Sequence, residues 1–217
     1  MAKKWKMEQP RIPENLPEMN FQEIHEREEP YLTDCLISNC VIERERIERA
    51  ELSQIVFKNV TFSDVSFHRL ELLDVVFEDC DLSNADLIGA IIHRVEFKNT
   101  KLLGTNFSEA SMENVLFENC NLNLSSLGYA SMKQVKFDHS PLRSADFYEC
   151  RLAKVLFEHC DLNEVNFGET SLKGIDISSS TFEQLTVSLE DLKGCTVSQE
   201  QALDFAAMLG WNIKSEL

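Results

Sequence analysis

The chain has 217 residues, a formal net charge of −16 and 43% hydrophobic residues, with only seven Gly and five Pro. That apolar content is enough for a core and argues against a disordered chain, while the negative charge argues against nonspecific affinity for nucleic acid or an anionic membrane. So few glycines and prolines also argue against an ordinary sandwich with many tight turns.

Residues 1–30 come first and keep no register. Lys3, Lys4 and Lys6 resemble the start of a signal peptide, but MEQPRIPENLPEMN stands where the apolar run belongs. No stretch nears the roughly 18 apolar residues of a membrane span, so a soluble, cytoplasmic protein is expected. Pro10, Pro13, Pro17 and Pro30 and an acidic run at Glu23, Glu26, Glu28 and Glu29 give an irregular arm. Two readings stand: a disordered tail, or a cover over the first turn of the segment that begins at residue 31, anchored by Phe21 and Ile24.

Residues 31–197 are a repeat. Every position ending in 2 or 7, from Leu32 to Val197, is Leu, Phe, Ile, Met or Val, 34 positions in all. A helix repeats every 3.6 residues and a strand every 2, so a period of five is neither. Two residues before each centre stands a small or β-branched residue, as at Cys35, Val75, Ala85, Ala90 and Val115. Centre and small residue share one side of a short extended piece, and the chain then turns a corner. A second period of 20 aligns Phe57, Phe77, Phe97, Phe117, Phe137 and Phe157, so four five-residue sides make one coil and these six rings form the predicted core stack. About 8.5 coils at a strand spacing of roughly 4.8 Å give a rod of roughly 40 Å.

All seven cysteines, at 35, 40, 80, 120, 150, 160 and 195, occupy the small position. Cys80, Cys120 and Cys160 lie in one column two coils apart, roughly 10 Å, which is too far for a disulfide. No C-x-x-C spacing offers a zinc site. They read as buried apolar residues in a reducing compartment, and no metal or cofactor is expected. His139 and His159, 20 apart, are expected to stack on the outside.

The units ADLIG (85–89), CDLSN (80–84), CNLNL (120–124), ADFYE (145–149) and CDLNE (160–164) resemble the pentapeptide-repeat family. The resemblance covers about residues 30–197 and implies an all-β solenoid, a right-handed quadrilateral β-helix.

From 198 to 217 the pattern becomes helical. Ser198 and Gln201 make a capping box, Ala202, Phe205, Ala206 and Leu209 come next at helical spacing, and Gly210 is a stop. Trp211 and Ile213 alternate with polar residues and suggest a short strand. The segment reads either as a cap on the last coil or as a self-association surface. Apolar residues beyond capping needs favour the second, with Ala202, Phe205, Leu209 and Trp211 in a homodimer interface. A rod ending in this way resembles the Qnr-type proteins, which protect bacterial type II topoisomerases from quinolones. In them the C-terminal module, matched here by residues 189–213, makes a two-fold dimer, and the acidic rod imitates B-DNA in the DNA site of gyrase. Some of them carry projecting loops. Here the five-residue frame never slips between 32 and 197, so no such loop is expected.

Charge supports a partner-binding role. Residues 31–197 hold 27 acidic and 15 basic residues, and residues 71–90 hold Glu71, Asp74, Glu78, Asp79, Asp81 and Asp86 with no Lys or Arg. All six avoid the centre and small positions and are expected to be exposed. An apolar outward column, Leu36, Val56, Val76, Leu116 and Leu156, reads as residues tolerated on a flat sheet face. No catalytic motif stands in the sequence, and a filled solenoid leaves no pocket for one. The expected function is therefore non-catalytic: the resemblance implies a DNA mimic that binds DNA gyrase or topoisomerase IV, and the alternative is an interaction scaffold with an unrelated protein partner.

Overall fold

The computed structural model describes residues 6–208 and 210–213. Its body is a β-solenoid of about eight turns. Seven parallel strands stack in one sheet, one per coil: Tyr31–Ser38 (β1), then, past the three-residue Val41–Glu43 (β2), Glu51–Lys58 (β3), and, past Thr61–Ser63 (β4), Glu71–Glu78 (β5), Ile91–Lys98 (β6), Ser111–Glu118 (β7), Ser131–Asp138 (β8) and Arg151–Glu158 (β9). Each pairs with the next at an offset of 20 residues, as in Phe57↔Phe77 and Phe77↔Phe97. On a second side β2 and β4 pair over three residues, and most other sides of the coils are turns joined to the neighbouring coil by single bridges such as Asp86↔Asn106 and Asn106↔Ser126. Two short strands, Val165–Asn166 (β10) and Leu185–Thr186 (β11), pair near the C-terminal end.

The corners explain how a glycine-poor chain turns so often. The second residue after a centre takes left-handed φ, from Asp34 (54°) through Asp74 (57°) and Tyr129 (63°) to Glu169 (56°). Most are not glycine. Such a conformation costs a non-Gly residue about 1–2 kcal/mol, and the coil-to-coil ladders offset it. The Asp or Asn before a centre closes the same turn: Asp81, Asp86, Asn106, Asp146 and Asp161 each accept the N–H of the residue two further on. This is the Asx turn, and it gives the repeated Asp/Asn a structural task.

Every centre from Leu32 to Phe182 is buried except Leu152, which is half-buried; Val187, Leu192 and Val197 are also half-buried. Rings of Phe57, Phe77, Phe97, Phe117, Phe137 and Phe157 stack with centroids 4.9, 4.8, 4.9, 4.9 and 5.2 Å apart. Phe107 and Phe147 meet them edge-on, at 6.3 Å from Phe97 and 5.9 Å from Phe137, filling the space between columns. The last coil is looser than the unbroken sequence frame suggests. Glu164 N–H reaches Gln184 C=O, where Ser144 N–H one coil earlier reaches Asn163 C=O, a slip of one residue.

Both ends are covered. At the N-terminal end a short 3-10 helix, Phe21–Glu26, is capped by Asn20 and buries Phe21 and Ile24. Gln22 Nε2 and His25 Nε2 lie 2.8 and 3.0 Å from the Glu45 carboxylate of the first coil. Met19 N–H and Pro17 C=O pair with Leu36 at 2.9 and 2.8 Å, which closes the open edge of β1. The arm also reaches far beyond the first coil, since Glu8 N–H bonds Asn114. At the C-terminal end lies helix Gln199–Met208 (α1). Ser198 and Gln201 form the expected box at 2.9 and 3.1 Å. The Gln201 amide also donates to Ile177 C=O and Ser180 C=O at 2.8 and 2.7 Å, so one side chain both starts the helix and closes the last coil. Gly210 (φ 77°) ends it, with Trp211 N–H on Ala206 C=O and Gly210 N–H on Ala207 C=O, a Schellman turn. The short strand expected at Trp211–Ile213 is not formed: among the described residues no strand pairs with the segment to complete a ladder.

Candidate interaction surface

The acidic coil 71–90 differs from its expected form. Asp74 is not exposed; it is 5% accessible. Arg94, one coil on, donates through Nε and Nη2 to its two oxygens at 2.6 and 2.8 Å, and Arg11 N–H donates to Oδ1 at 2.9 Å. Burial alone pushes the Asp74 carboxyl up, but these hydrogen bonds and the guanidinium charge outweigh it and hold the group below the usual range. Three more of the six are engaged by neighbouring coils: Glu78 by Lys58 (3.1 Å), Asp86 by His68 (2.6 Å) and Asp81 by Lys101 (3.5 Å). Asp79 is exposed and accepts from Asn99 Nδ2 at 3.2 Å. Glu71 is exposed and forms no ion pair among the described residues. The partners lie 18 or 20 residues away, so a count confined to residues 71–90 overstates the free charge.

Unpaired acid lies elsewhere. Glu109, Glu149 and Glu169 occupy one left-handed corner column and are exposed, and none of them forms an ion pair among the described residues. With a coil rise near 5 Å, Glu149 and Glu169 stand on adjacent coils and Glu109 two coils from Glu149. Tyr129 fills the vacant step of the column, its ring edge-on to Tyr148 at 5.7 Å. Tyr148 has room because glycines flank it: a Cβ at Gly168 would stand 3.2 Å from the Tyr148 ring. The pattern was present in the sequence as three Glu at numbers ending in 9 with no Lys or Arg 20 residues to either side. Reading one coil at a time missed it.

The cysteines form a hydrogen-bonded ladder. Cys80, Cys120 and Cys160 point Sγ at Phe57 C=O, Phe97 C=O and Phe137 C=O, at 3.4, 3.3 and 3.5 Å. On the alternate coils Thr100, Ser140 and Ser180 donate to Phe77 C=O, Phe117 C=O and Phe157 C=O, at 3.4, 3.2 and 3.0 Å. Thiol and hydroxyl thus share one task. Burial pushes the Cys80 and Cys160 thiols up to about 11 and that of Cys120 up to about 12. His139 and His159 rings lie 4.7 Å apart, and no group of three or more potential metal ligands occurs among the described residues.

The residues expected at a dimer interface point in different directions. Phe205 is half-buried and meets Phe182 at 5.1 Å, so it faces the rod. Ala202 is exposed and Trp211 is 67% accessible; Leu209 lies outside the described residues. Leu203, Met208 and Ile213 add exposed apolar surface. No helix among the described residues is long and apolar enough to cross a membrane.

A family model of the pentapeptide repeat region matches residues 90–167, and one of pentapeptide repeats in eight copies matches residues 71–108. The chain is similar to a trypsin-treated variant of QnrB1, a plasmid-mediated fluoroquinolone resistance protein, with 20% identity over 85% of this chain and 99% of that one, and a TM-score of 0.43. It is also similar to HetL, a pentapeptide repeat protein involved in heterocyst differentiation regulation from the cyanobacterium Nostoc sp. strain PCC 7120, with 16% identity over 77% of this chain and 85% of that one, and a TM-score of 0.25. A third likeness is to Rfr23 of the cyanobacterium Cyanothece 51142, with 12% identity over 75% of this chain and 91% of that one, and a TM-score of 0.19. No curated protein sequence matches the chain.

Proposed function

We propose that this chain, whose residues 71–167 are matched by family models of pentapeptide repeats, is a non-catalytic binding protein whose acidic rod imitates duplex DNA toward a type II topoisomerase, DNA gyrase or topoisomerase IV. The observation that carries this reading is the column of unpaired carboxylates at Glu109, Glu149 and Glu169. Glu149 and Glu169 are one coil rise of about 5 Å apart, comparable to the 3.4 Å between phosphates along a DNA strand, and Glu109 stands two coils from Glu149. A basic DNA-binding saddle is complementary to such a row. Glu71 and Asp79 extend the free charge toward the N-terminal half. Asp74, Asp81 and Asp86 are engaged within the rod and belong to its stability. In this reading two rods joined through their C-terminal ends span roughly 80 Å, enough for a DNA-sized saddle.

The second reading is a scaffold with an unrelated protein partner. It is favoured by the Tyr129–Tyr148 pair inside the acidic column, since aromatic residues are enriched at protein interfaces and DNA offers no counterpart to imitate. A supercoiling assay with DNA competition separates the two. For the DNA mimic, the protein inhibits supercoiling, added salt weakens the effect, and a Glu109→Gln/Glu149→Gln/Glu169→Gln variant needs roughly 10-fold more protein for the same inhibition. An unmodified protein that neither alters supercoiling nor competes with DNA at high micromolar concentration leaves the scaffold reading.

A further inference from the structure

One row of the rod holds residues far away in the chain. Gln54, Asp74, Arg94, Asn114 and Gln134 are the left-handed corner residues of β3, β5, β6, β7 and β8, and residues 6–11 run across them. Glu8 N–H donates to Asn114 Oδ1 at 3.0 Å and Arg11 N–H to Asp74 Oδ1 at 2.9 Å. Gln134 Nε2 donates to Lys6 C=O at 3.2 Å and Gln54 Nε2 to Arg11 C=O at 3.4 Å. All four bonds go to main-chain groups, two as donors and two as acceptors. The row therefore reads a peptide backbone, with little demand on its sequence. The carboxylate of Glu8 accepts from Arg11 of the arm at 3.1 Å and lies 4.0 Å from Arg94 of the row, so it carries one charge preference for the row. Met7, Pro10 and Ile12 are half-buried, while Glu8, Gln9 and Arg11 are exposed.

Two features mark this as a site rather than as incidental packing. The acceptors that meet the arm are held by the rod, Asp74 by Arg94 at 2.8 Å and Asn114 by Gln134 at 3.2 Å, and with the arm in place Asn114 and Asp74 are 3% and 5% accessible. The arm is tethered lightly: among the described residues, positions 12–16 make no hydrogen bond to the rod, and the next anchor is Pro17 C=O on Leu36. We propose that the Gln54–Asp74–Arg94–Asn114–Gln134 row is a binding site for an extended peptide bearing a carboxylate, occupied in cis by residues 6–11 as a displaceable ligand. A partner segment of that chemistry gains access by replacing the arm.

The test uses the full chain and a fluorescent peptide of residues 4–13. A tethered arm competes at an effective concentration on the order of millimolar, so the unmodified chain binds the peptide weakly. Glu8→Pro/Arg11→Pro removes the two arm N–H donors and leaves the row intact. This chain is expected to bind the peptide at least about 10-fold more tightly than the unmodified one, and to lose that gain on adding Asn114→Ala/Gln134→Ala. A peptide with Gln at the Glu8 position binds more weakly. A double-proline chain that melts with the unmodified protein yet binds the peptide no better overturns the proposal. If that chain is unstable, amide exchange in the unmodified protein decides: Glu8 and Arg11 exchanging at least about 10-fold more slowly than Gln9 supports the site, and equal rates overturn it.

Discussion

At the N-terminal end the first coil meets Phe21 and Ile24, both buried, with Glu45 held by Gln22 and His25 and the β1 edge paired to residues 17–19. At the C-terminal end a ten-residue helix places one half-buried ring, Phe205, on Phe182 and sends the Gln201 amide into the last carbonyls, while Leu203, Met208, Trp211 and Ile213 stay exposed. A solenoid must close both ends because an open one presents unpaired backbone and apolar core. The contrast shows that closing an end takes only a few groups. The C-terminal end leaves Leu203, Met208, Trp211 and Ile213 in water.

The largest contrast is expected between the two capping rings. Phe21→Ala should cost about 3–5 kcal/mol, the range for a fully buried Phe. Phe205→Ala should cost about 1 kcal/mol, for a ring that leaves water only in part. Urea titrations of both variants check this, and equal costs would erase the distinction between the ends. Next in size is Gln201→Ala, which strands Ile177 C=O and Ser180 C=O and should cost about 1–3 kcal/mol. Gln201→Glu should be no better, because a carboxylate cannot donate to two carbonyls.

The thiols sharpen the comparison without changing stability. Burial pushes Cys35, in the first coil, and Cys195, at the far end, each up to about 11, so acidity does not separate them. Cys35 is buried and Cys195 half-buried, so access does. A bulky thiol reagent should modify Cys195 several-fold faster, and Cys80, Cys120 and Cys160 only after denaturation. Similar rates for Cys35 and Cys195 would mean that the N-terminal cover opens as readily as the C-terminal one. The smallest effect on the folded monomer belongs to Trp211→Ala, within about 0.5 kcal/mol for an exposed side chain. Its readout is mass: light scattering should show a dimer at tens of micromolar, a scale where micromolar affinities persist, shifted toward monomer by the change. A monomeric unmodified protein would remove association as the reason for the exposed apolar residues.

The sequence by itself determined the core. A five-residue period turns the centres of successive sides to one interior, so Phe57 through Phe157 form a stack and the cysteines share the small position. It also determined the Ser198–Gln201 box, because capping depends on residues three apart. Only the tertiary structure decided which acids are free. Asp74, Glu78 and Asp86 meet their partners across a coil, 20, 20 and 18 residues away, and stacking, not local pattern, brings those positions together. The same holds for the corners: Tyr129 and Leu124 adopt left-handed φ against their intrinsic preference because the ladders above and below impose it. The cover by Phe21 and Ile24 was legible as apolar anchors in a polar arm, but residues 6–11 were not: they are aperiodic, and four bonds to their main-chain groups hold them to the rod; every residue carries such groups, and no residue type advertises where they will bind.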